Sequence, residues 1–466
     1  MNGAEDVRGR MRRDWDERAR LDARFFVAFG RREQTREEFL ATAREVLVAI
    51  EEEFRRFGEG VDLKKLTALE IGCGPGRLML PLSERFGRLI GFDVSGGMVE
   101  LARENLLGAP NAEARQNSGS DLPGVDDESI DFCYSYAVFQ HIPDKEVVWS
   151  YLRETVRVLK TGGFLKLQFN GLPSGQGVGE GPPAVTGWSR RSGSVAVRPV
   201  LSNAPDTWSG VRFRAEELAK FAGQADLQLL ALDRFDTQYL WMTARKREAG
   251  WRSRPGAPEK ARIVRVTDTF TADAVVAQSG RYASASVWVM GLSEDADLNR
   301  VRVVIDGQPA APCFIGKDVP KNPAQVNVYL PPGVRTGVVP VRLTMDGRAI
   351  TADAPMRVIP AGPLVPRLLS VTDSVNLLSE ASIESRAIKV KIEEVPCESE
   401  DEFAAAVDVR LDDAPLTKLT VHCLDPLSRI FGLDVDLPEG VGGGPHRLVV
   451  KLGRGTFVDQ MIQIAG

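Results

Sequence analysis

The sequence predicts a mainly parallel α/β domain followed by two all-β sandwiches. Three observations carry this reading. Short apolar runs alternate with amphipathic helical runs between about residues 65 and 247. A glycine-rich turn spanning residues 72–76 joins the first of those runs to a helix. Beyond Ala261 the periodicity becomes strand-like and repeats itself after about 105 residues.

The elements follow in order. Residues 11–57 read as helix, with Phe39, Leu40, Ala43, Val46, Leu47, Ile50 and Phe54 near one face, and residues 1–60 are expected to form a helical cap. The alternation then begins: LTALEI and RLMLPLSERF, RLIGFD and GGMVELARENL, IDFCYSY and KEVVWSYLRETVRVL, then FLKLQFN. Residues 171–209 are rich in Gly, Pro and Ser without a clear period, the composition of a lid loop. A helix and two strands close the first domain at 1–247, and 248–260 has linker composition. RIVRVTDTF at 262–270 returns as RLLSVTDSV at 367–375, and VYLPPGVRTGVVPVRLTMDG returns as VDLPEGVGGGPHRLVVKLGRG. Each copy has the length of one immunoglobulin-like sandwich, which divides the remainder into 261–361 and 362–466. The acidic run at 393–403 is expected to be a solvated loop.

Composition narrows the functional classes. A net charge of −5 provides no basic field for nucleic acid or an anionic membrane. The N-terminus is charged throughout, and no stretch approaches the roughly 18 apolar residues that span a bilayer. Five scattered cysteines form no CxxC or Cys/His cluster, so no metal site is expected and a cytoplasmic chain is the simplest reading.

The chemistry concentrates in Leu69-Glu70-Ile71-Gly72-Cys73-Gly74-Pro75-Gly76-Arg77. A buried strand runs into a turn where missing Cβ atoms let the backbone approach a ligand and take positive φ. The next strand ends in Asp93, whose carboxylate can accept hydrogen bonds from both hydroxyls of a ribose. The spacing is GxGxG, unlike the GxGxxG of most NAD sites. Acidic Glu70 before the loop suits a cationic ligand better than a pyrophosphate.

With those residues in view, the chain resembles the class I S-adenosylmethionine (SAM)-dependent methyltransferases over about residues 12–247. The resemblance rests on EIGCGPG, on Asp93, on SIDFCYSYAVFQHIPD and on VRVLKTGG, where Thr161 stands in place of the usual Pro. It implies a Rossmann-like sheet with an antiparallel last strand and SAM as cofactor. It also implies site roles. Glu70 would face the methionine ammonium, Gly72, Gly74 and Gly76 would wrap the donor, and Asp93 would hold the ribose. Val94 or Met98 would lie against the adenine. Ser118 and Gly119 fall where relatives place an Asp that meets the adenine amine, and Asp121 substitutes only if the loop shifts. Ser135 is either a donor contact or a strand-end hydroxyl satisfying the backbone.

His141, one of three histidines in the chain, follows the fourth strand, where donor and acceptor meet in the family. It is the candidate general base or acceptor-orienting residue, against the plainer role of tying its own turn. Tyr136 and Gln140 share that neighbourhood. Trp15, Arg18, Phe25 and Phe26 either cap the cleft or simply pack on the domain. The functional expectation is methyl transfer from SAM to an O or N atom of a small-molecule or glycan acceptor, without nucleic-acid or membrane partners. A homodimer through the β-sandwich modules is the expected assembly. The alternative is a SAM-binding scaffold or assembly protein that acts through those modules without turnover.

Overall fold

The computed structural model describes residues 6–28, 34–171, 210–253 and 261–466, apart from residues 236, 281, 317–322, 375–380, 398, 426–428, 454 and 466. The expected lid at 171–209 falls outside the described residues beyond Gly171, as do residues 254–260 of the expected linker.

Helices α1 (Val7–Ala28), α2 (Arg36–Ala41) and α3 (Arg44–Glu51) precede β1 (Thr67–Ile71). The single helical run expected over 11–57 is thus divided, first at Asp22, whose backbone is extended, and again after Ala41. The apolar face read from the sequence survives the break: Ala43, Val46 and Ile50 pack with Ala68, Phe86 and Phe132.

Next come α4 (Met79–Ser83), β2 (Arg88–Asp93), α5 (Gly96–Asn105), β3 (Ala112–Gln116), β4 (Ile130–Ser135), α6 (Lys145–Val158), β5 (Leu159–Phe169), α7 (Ala215–Gln224), β6 (Leu227–Asp233) and β7 (Leu240–Lys246). The strands lie in the order β3-β2-β1-β4-β5-β7-β6. β1 to β5 pair in parallel and β7 runs antiparallel to both its neighbours, as expected. The strand order reverses between β1 and β4, so their C-terminal ends border a crevice, the usual ligand position in an open α/β sheet.

The two repeats are β-sandwiches with one topology. The first contains β8 (Arg262–Asp268), β9 (Val275–Ala277), β10 (Ser284–Met290), β11 (Val301–Ile305), β12 (Gln308–Ala310), β13 (Pro312–Gly316), β14 (Ala324–Tyr329), β15 (Gly337–Met345), β16 (Arg348–Ala349) and β17 (Ala354–Ile359). Its sheets are β8-β10-β14-β13 and β9-β17-β15-β11-β12. The second contains β18 (Arg367–Asp373), β19 (Ser382–Ile383), β20 (Ala387–Glu393), β21 (Val407–Leu411), β22 (Ala414–Pro415), β23 (Leu419–Asp425), β24 (Ile430–Asp436), β25 (Gly444–Leu452) and β26 (Gly455–Ile464). Its sheets, β18-β20-β24-β23 and β19-β26-β25-β21-β22, reproduce the order of the first, apart from β16, which pairs with β15 off that path.

The equivalence reaches single residues. Ser286 lies opposite Asn327 in the first module, and its hydroxyl donates to the Asn327 Oδ1 at 2.8 Å. At the same register the second module sets Lys389 opposite Asp434, a buried ion pair at 3.1 Å joined by the Ser374 hydroxyl at 2.9 Å.

The division expected at 248–260 does not separate the first module from the α/β sheet. β13 pairs with β6 through Phe314 and Ala231, so one sheet of 11 strands runs through both. Arg247 binds Asp295 at 2.6 Å, Arg252 binds Asp297 at 2.6 Å, and Trp251 between them is buried. Arg56 pairs with Glu53, donates to the Ile315 carbonyl at 3.0 Å and lies over the Phe314 ring. One compact unit accordingly contains residues 40–173 and 207–362 with the N-terminal 21, while the second sandwich belongs to another. A β-edge covered by a neighbouring strand cannot template aggregation, which gives this pairing a physical rationale.

The acidic run at 393–403 is also not the solvated loop expected. Ser399 caps a helix, α8 (Glu400–Ala406), by accepting the Glu402 N–H, and Phe403 is fully buried. Three acidic residues in its first turn suit the positive end of the helix dipole.

Candidate functional site at the ends of β1, β2 and β4

The loop after β1 is held by the end of β2. The Gly72 and Cys73 N–H groups both donate to the Phe92 carbonyl, at 2.7 and 3.0 Å. Gly72, Gly74 and Gly76 all have positive φ, 71°, 50° and 80°. Gly72 has a second reason to lack a side chain: a Cβ there would lie 2.2 Å from Val138 Cγ2. The turn therefore rests against the segment that follows β4.

Asp93 closes the loop from the other side. Its Oδ2 accepts the Gly74 N–H and its Oδ1 accepts the Ser95 N–H, each at 2.9 Å. Burial pushes this carboxyl up to about 6 against the pull of those N–H donors, and Asp16 adds to the rise. Ser95 caps α5 by accepting the Met98 N–H at 3.1 Å. It also donates to Asp16 Oδ1 at 2.6 Å, and the same oxygen accepts the Gly97 N–H at 3.1 Å.

Asp16 comes from α1, whose first half thus lies on the crevice. Arg8 reaches Ser120 Oγ at 3.4 Å, and Arg12 reaches the Asn117 carbonyl at 3.5 Å. Trp15 meets His141 edge to face with ring centroids 5.4 Å apart, and Arg18 lies 4.6 Å over the Trp15 ring. Trp15 and Arg18 therefore join the site neighbourhood. The Phe25 and Phe26 rings pack against each other edge to face, with centroids 5.2 Å apart.

Glu70 is buried at the end of β1 and accepts the Tyr134 hydroxyl at 2.9 Å. Burial pushes its carboxyl up to about 8, while Tyr134 and Arg77 pull it down and Asp93 adds to the rise. Val94 and Met98 are buried beside the loop. A Cβ on Gly119, whose φ is 100°, would approach Val94 Cγ2 to 3.0 Å. The Ser118 N–H donates to Asp121 Oδ1 at 2.9 Å, so the Asp121 carboxylate turns back on its own loop. The Ser135 hydroxyl donates to the Ile71 carbonyl at 2.9 Å and ties β4 to β1.

His141 sits in a short 3-10 turn, Phe139–His141, with its Nε2 3.2 Å from Gln140 Nε2. Gln140 Oε1 accepts from Gln168 Nε2 at 3.3 Å, and Gln168 Oε1 accepts the Ala137 N–H at 2.8 Å. Tyr136 stacks on Trp241, with Arg77 5.7 Å over its ring. Sequence reasoning missed Asp16, Arg77, Tyr134 and Gln168 as members of this constellation. Arg77 had a signal in its position directly after the third glycine; the others are brought in by packing.

Every element of a glycine loop closed by an acidic strand end is thus present, and comparison with known proteins places it. A family model described as methyltransferase domain matches residues 69–167. This stretch is a methyltransferase domain. An uncharacterized methyltransferase of Mycobacteroides abscessus is 28% identical over 152 residues, 32% of this chain and 57% of that protein. A trans-aconitate 2-methyltransferase of Rhizobium rhizogenes is 33% identical over 103 residues, 22% of this chain and 37% of that protein. The chain thus spans under two thirds of these curated relatives. Among solved structures, the chain is similar to a phosphoethanolamine N-methyltransferase of Haemonchus contortus. That likeness has 15% identity and a TM-score of 0.37, covering 52% of this chain and 50% of that one. The matched methyltransferase segment runs from Leu69 in β1 to Leu167 in β5 and includes the glycine loop, Asp93 and His141.

Proposed function

We propose that the chain binds SAM and transfers its methyl group to an O or N atom of a small-molecule acceptor, a glycan or secondary metabolite among them. The observation that carries this reading is the Asp93 carboxylate, half-buried at the end of β2 and bonded to Gly74 and Ser95 N–H groups. Each oxygen keeps a lone pair for a ribose hydroxyl. The residues present fit the cofactor. Gly72, Gly74 and Gly76 leave the loop backbone open to close approach, and the buried Glu70 carboxyl suits a cationic group. SAM, when bound, supplies an electrophilic methyl on a sulfonium.

The remaining roles belong to this chain. Gly72, Gly74 and Gly76 line the methionine side, Asp93 holds the ribose, and Val94, Met98, Ser118 and Gly119 border the adenine. Ser135 fixes the β4 end beneath the donor. Trp15 and His141 border the acceptor side, where aligning the nucleophile with the methyl group provides much of the acceleration. The β-sandwich modules at 261–361 and 362–466 are the parts we assign to homodimer assembly. Incubating the protein with methyl-labelled SAM and candidate hydroxyl, carboxylate and amine acceptors tests the activity. Labelled product supports it, and a complete absence of transfer from a SAM-bound protein across those classes counts against it.

A further inference from the structure

Ser95 is bonded to two carboxylates. Its N–H donates to Asp93 Oδ1 at 2.9 Å, and its hydroxyl donates to Asp16 Oδ1 at 2.6 Å. A hydroxyl has one proton, so with that proton on Asp16 the Ser95 oxygen meets the Met98 N–H as an acceptor, at 3.1 Å. Asp16 Oδ1 accepts the Gly97 N–H as well, at 3.1 Å. Two N–H groups in the first turn of α5 are thus satisfied, one by the helix's own cap and one by a carboxylate from α1, where negative charge suits the positive end of the helix. Ser95 is fully buried, so water does not replace Asp16 as the acceptor of its proton. Gly97 fits the same contact. A Cβ there would lie 3.0 Å from Ala19 Cβ, so the approach of α1 calls for a glycine at this position. Asp16 and Ala19, three apart on one face of α1, seat that helix on the turn that follows Asp93.

We propose that Asp16 is a positioning residue of the donor site: it holds the Ser95–Gly97 turn so that Asp93 presents its carboxylate to the ribose. The assignment rests on the donor reading above and adds α1 to the elements that shape ribose recognition. Asp16 acts through Ser95 and not on the donor. What it contributes is a hydrogen-bond acceptor at Oδ1. Asparagine has the same acceptor, and alanine has none. Because the effect runs through Asp93, it is lost once the Asp93 carboxylate is gone.

The test titrates the full chain and its variants with S-adenosylhomocysteine at about pH 8. Asp93, whose carboxyl burial pushes up to about 6, is ionised there with or without the Asp16 charge. Positioning predicts that Asp16→Ala weakens binding by about fivefold or more, that Asp16→Asn recovers most of that loss, and that Asp16→Ala costs less than about twofold when added to Asp93→Ala. Equal affinity of Asp16→Ala and the unaltered protein overturns the proposal, as does an Asp16→Asn as weak as Asp16→Ala. An additive loss in the double variant also overturns it, because a merely structural role weakens binding whether or not Asp93 is present. Should Asp16→Ala not fold, Asp16→Glu takes its place. It keeps the charge, moves the oxygens out by one methylene, and must show the same loss and the same dependence on Asp93; unchanged affinity overturns the proposal. If the unaltered protein does not bind S-adenosylhomocysteine, the donor reading fails and the role of Asp16 fails with it.

Discussion

Gln140 Nε2 lies 3.2 Å from His141 Nε2, and the direction of that hydrogen bond is set two residues away. The Ala137 N–H can only donate, so it fixes the Gln168 carbonyl oxygen toward itself. Gln168 Nε2 donates to the Phe169 and Gln238 carbonyls at 2.7 and 2.8 Å and also faces Gln140 Oε1 at 3.3 Å, which turns Gln140 Nε2 toward the imidazole. His141 Nε2 is therefore an acceptor, and the ring's proton resides on Nδ1. A base acting through Nε2 must first break the Gln140 bond, so the geometry favours an orienting role for His141 over proton removal at that nitrogen. Long-range proton–nitrogen NMR of the ring should show the Nδ1–H tautomer for His141 in the unaltered protein and a mixture in Gln140→Leu. A dominant Nε2–H form in the unaltered protein contradicts this chain of donors.

Glu70 makes the stability of the ligand-free protein depend on pH. Its carboxyl is raised from 4.5 to about 8, chiefly by burial, with Tyr134, Arg77 and Asp93 facing it. Between those values the folded chain keeps a proton that the unfolded chain has shed. Its contribution is complete below about 4.5 and is lost as pH rises through about 8. Asp93 acts in the same direction, but only up to about 6. Melting temperatures measured from pH 6 to 8 should therefore fall in the unaltered protein and flatten in Glu70→Gln. The same slope in both proteins contradicts the assignment.

The first sandwich is structural support for the methyltransferase domain. Ending the chain at Arg247 leaves β6 without β13 and strips Arg247 of Asp295 and Arg56 of the Ile315 carbonyl. Thermal denaturation of that fragment should show a midpoint lowered by roughly 10 °C or more, or no cooperative transition. A fragment that melts at the same temperature as the first unit of the full chain contradicts it.

In the second sandwich, Lys389 lies 3.1 Å from Asp434, and His422 Nε2 lies 3.2 Å from the same carboxylate. Asp434→Leu removes the carboxylate from both and should cost about 3–5 kcal/mol in chemical denaturation, whereas Lys389→Met leaves Asp434 beside His422 and should cost less. The double change Lys389→Ser with Asp434→Asn copies the Ser286–Asn327 pair of the first sandwich and should recover most of the loss of either single change. Additive losses in that double variant would show that the two modules tolerate this position differently.

Much of this was legible in the residues. The alternation of apolar and helical runs predicted the α/β order, and Asp93 stood out as the acidic residue ending the run RLIGFD. The repeat at about 105 residues foretold two sandwiches, and their strand orders coincide. The Gln168–Gln140–His141 relay was not legible, because it joins the ends of β4 and β5 through sheet register and neither glutamine has a local pattern. The β6–β13 junction was hidden for a related reason: it rests on one residue pair, Ala231 and Phe314, which leaves no periodic trace. At 393–403 the count of acidic residues outweighed two better signals, the capping Ser399 and the apolar Phe403.

Calorimetric titration of S-adenosylhomocysteine into the unaltered protein and into Asp93→Ala tests the central claim most directly. The account predicts saturable binding to the unaltered protein and a loss of at least about tenfold, roughly 1.4 kcal/mol, in a folded Asp93→Ala. No binding at millimolar concentrations, or equal affinity in the two proteins, would contradict it.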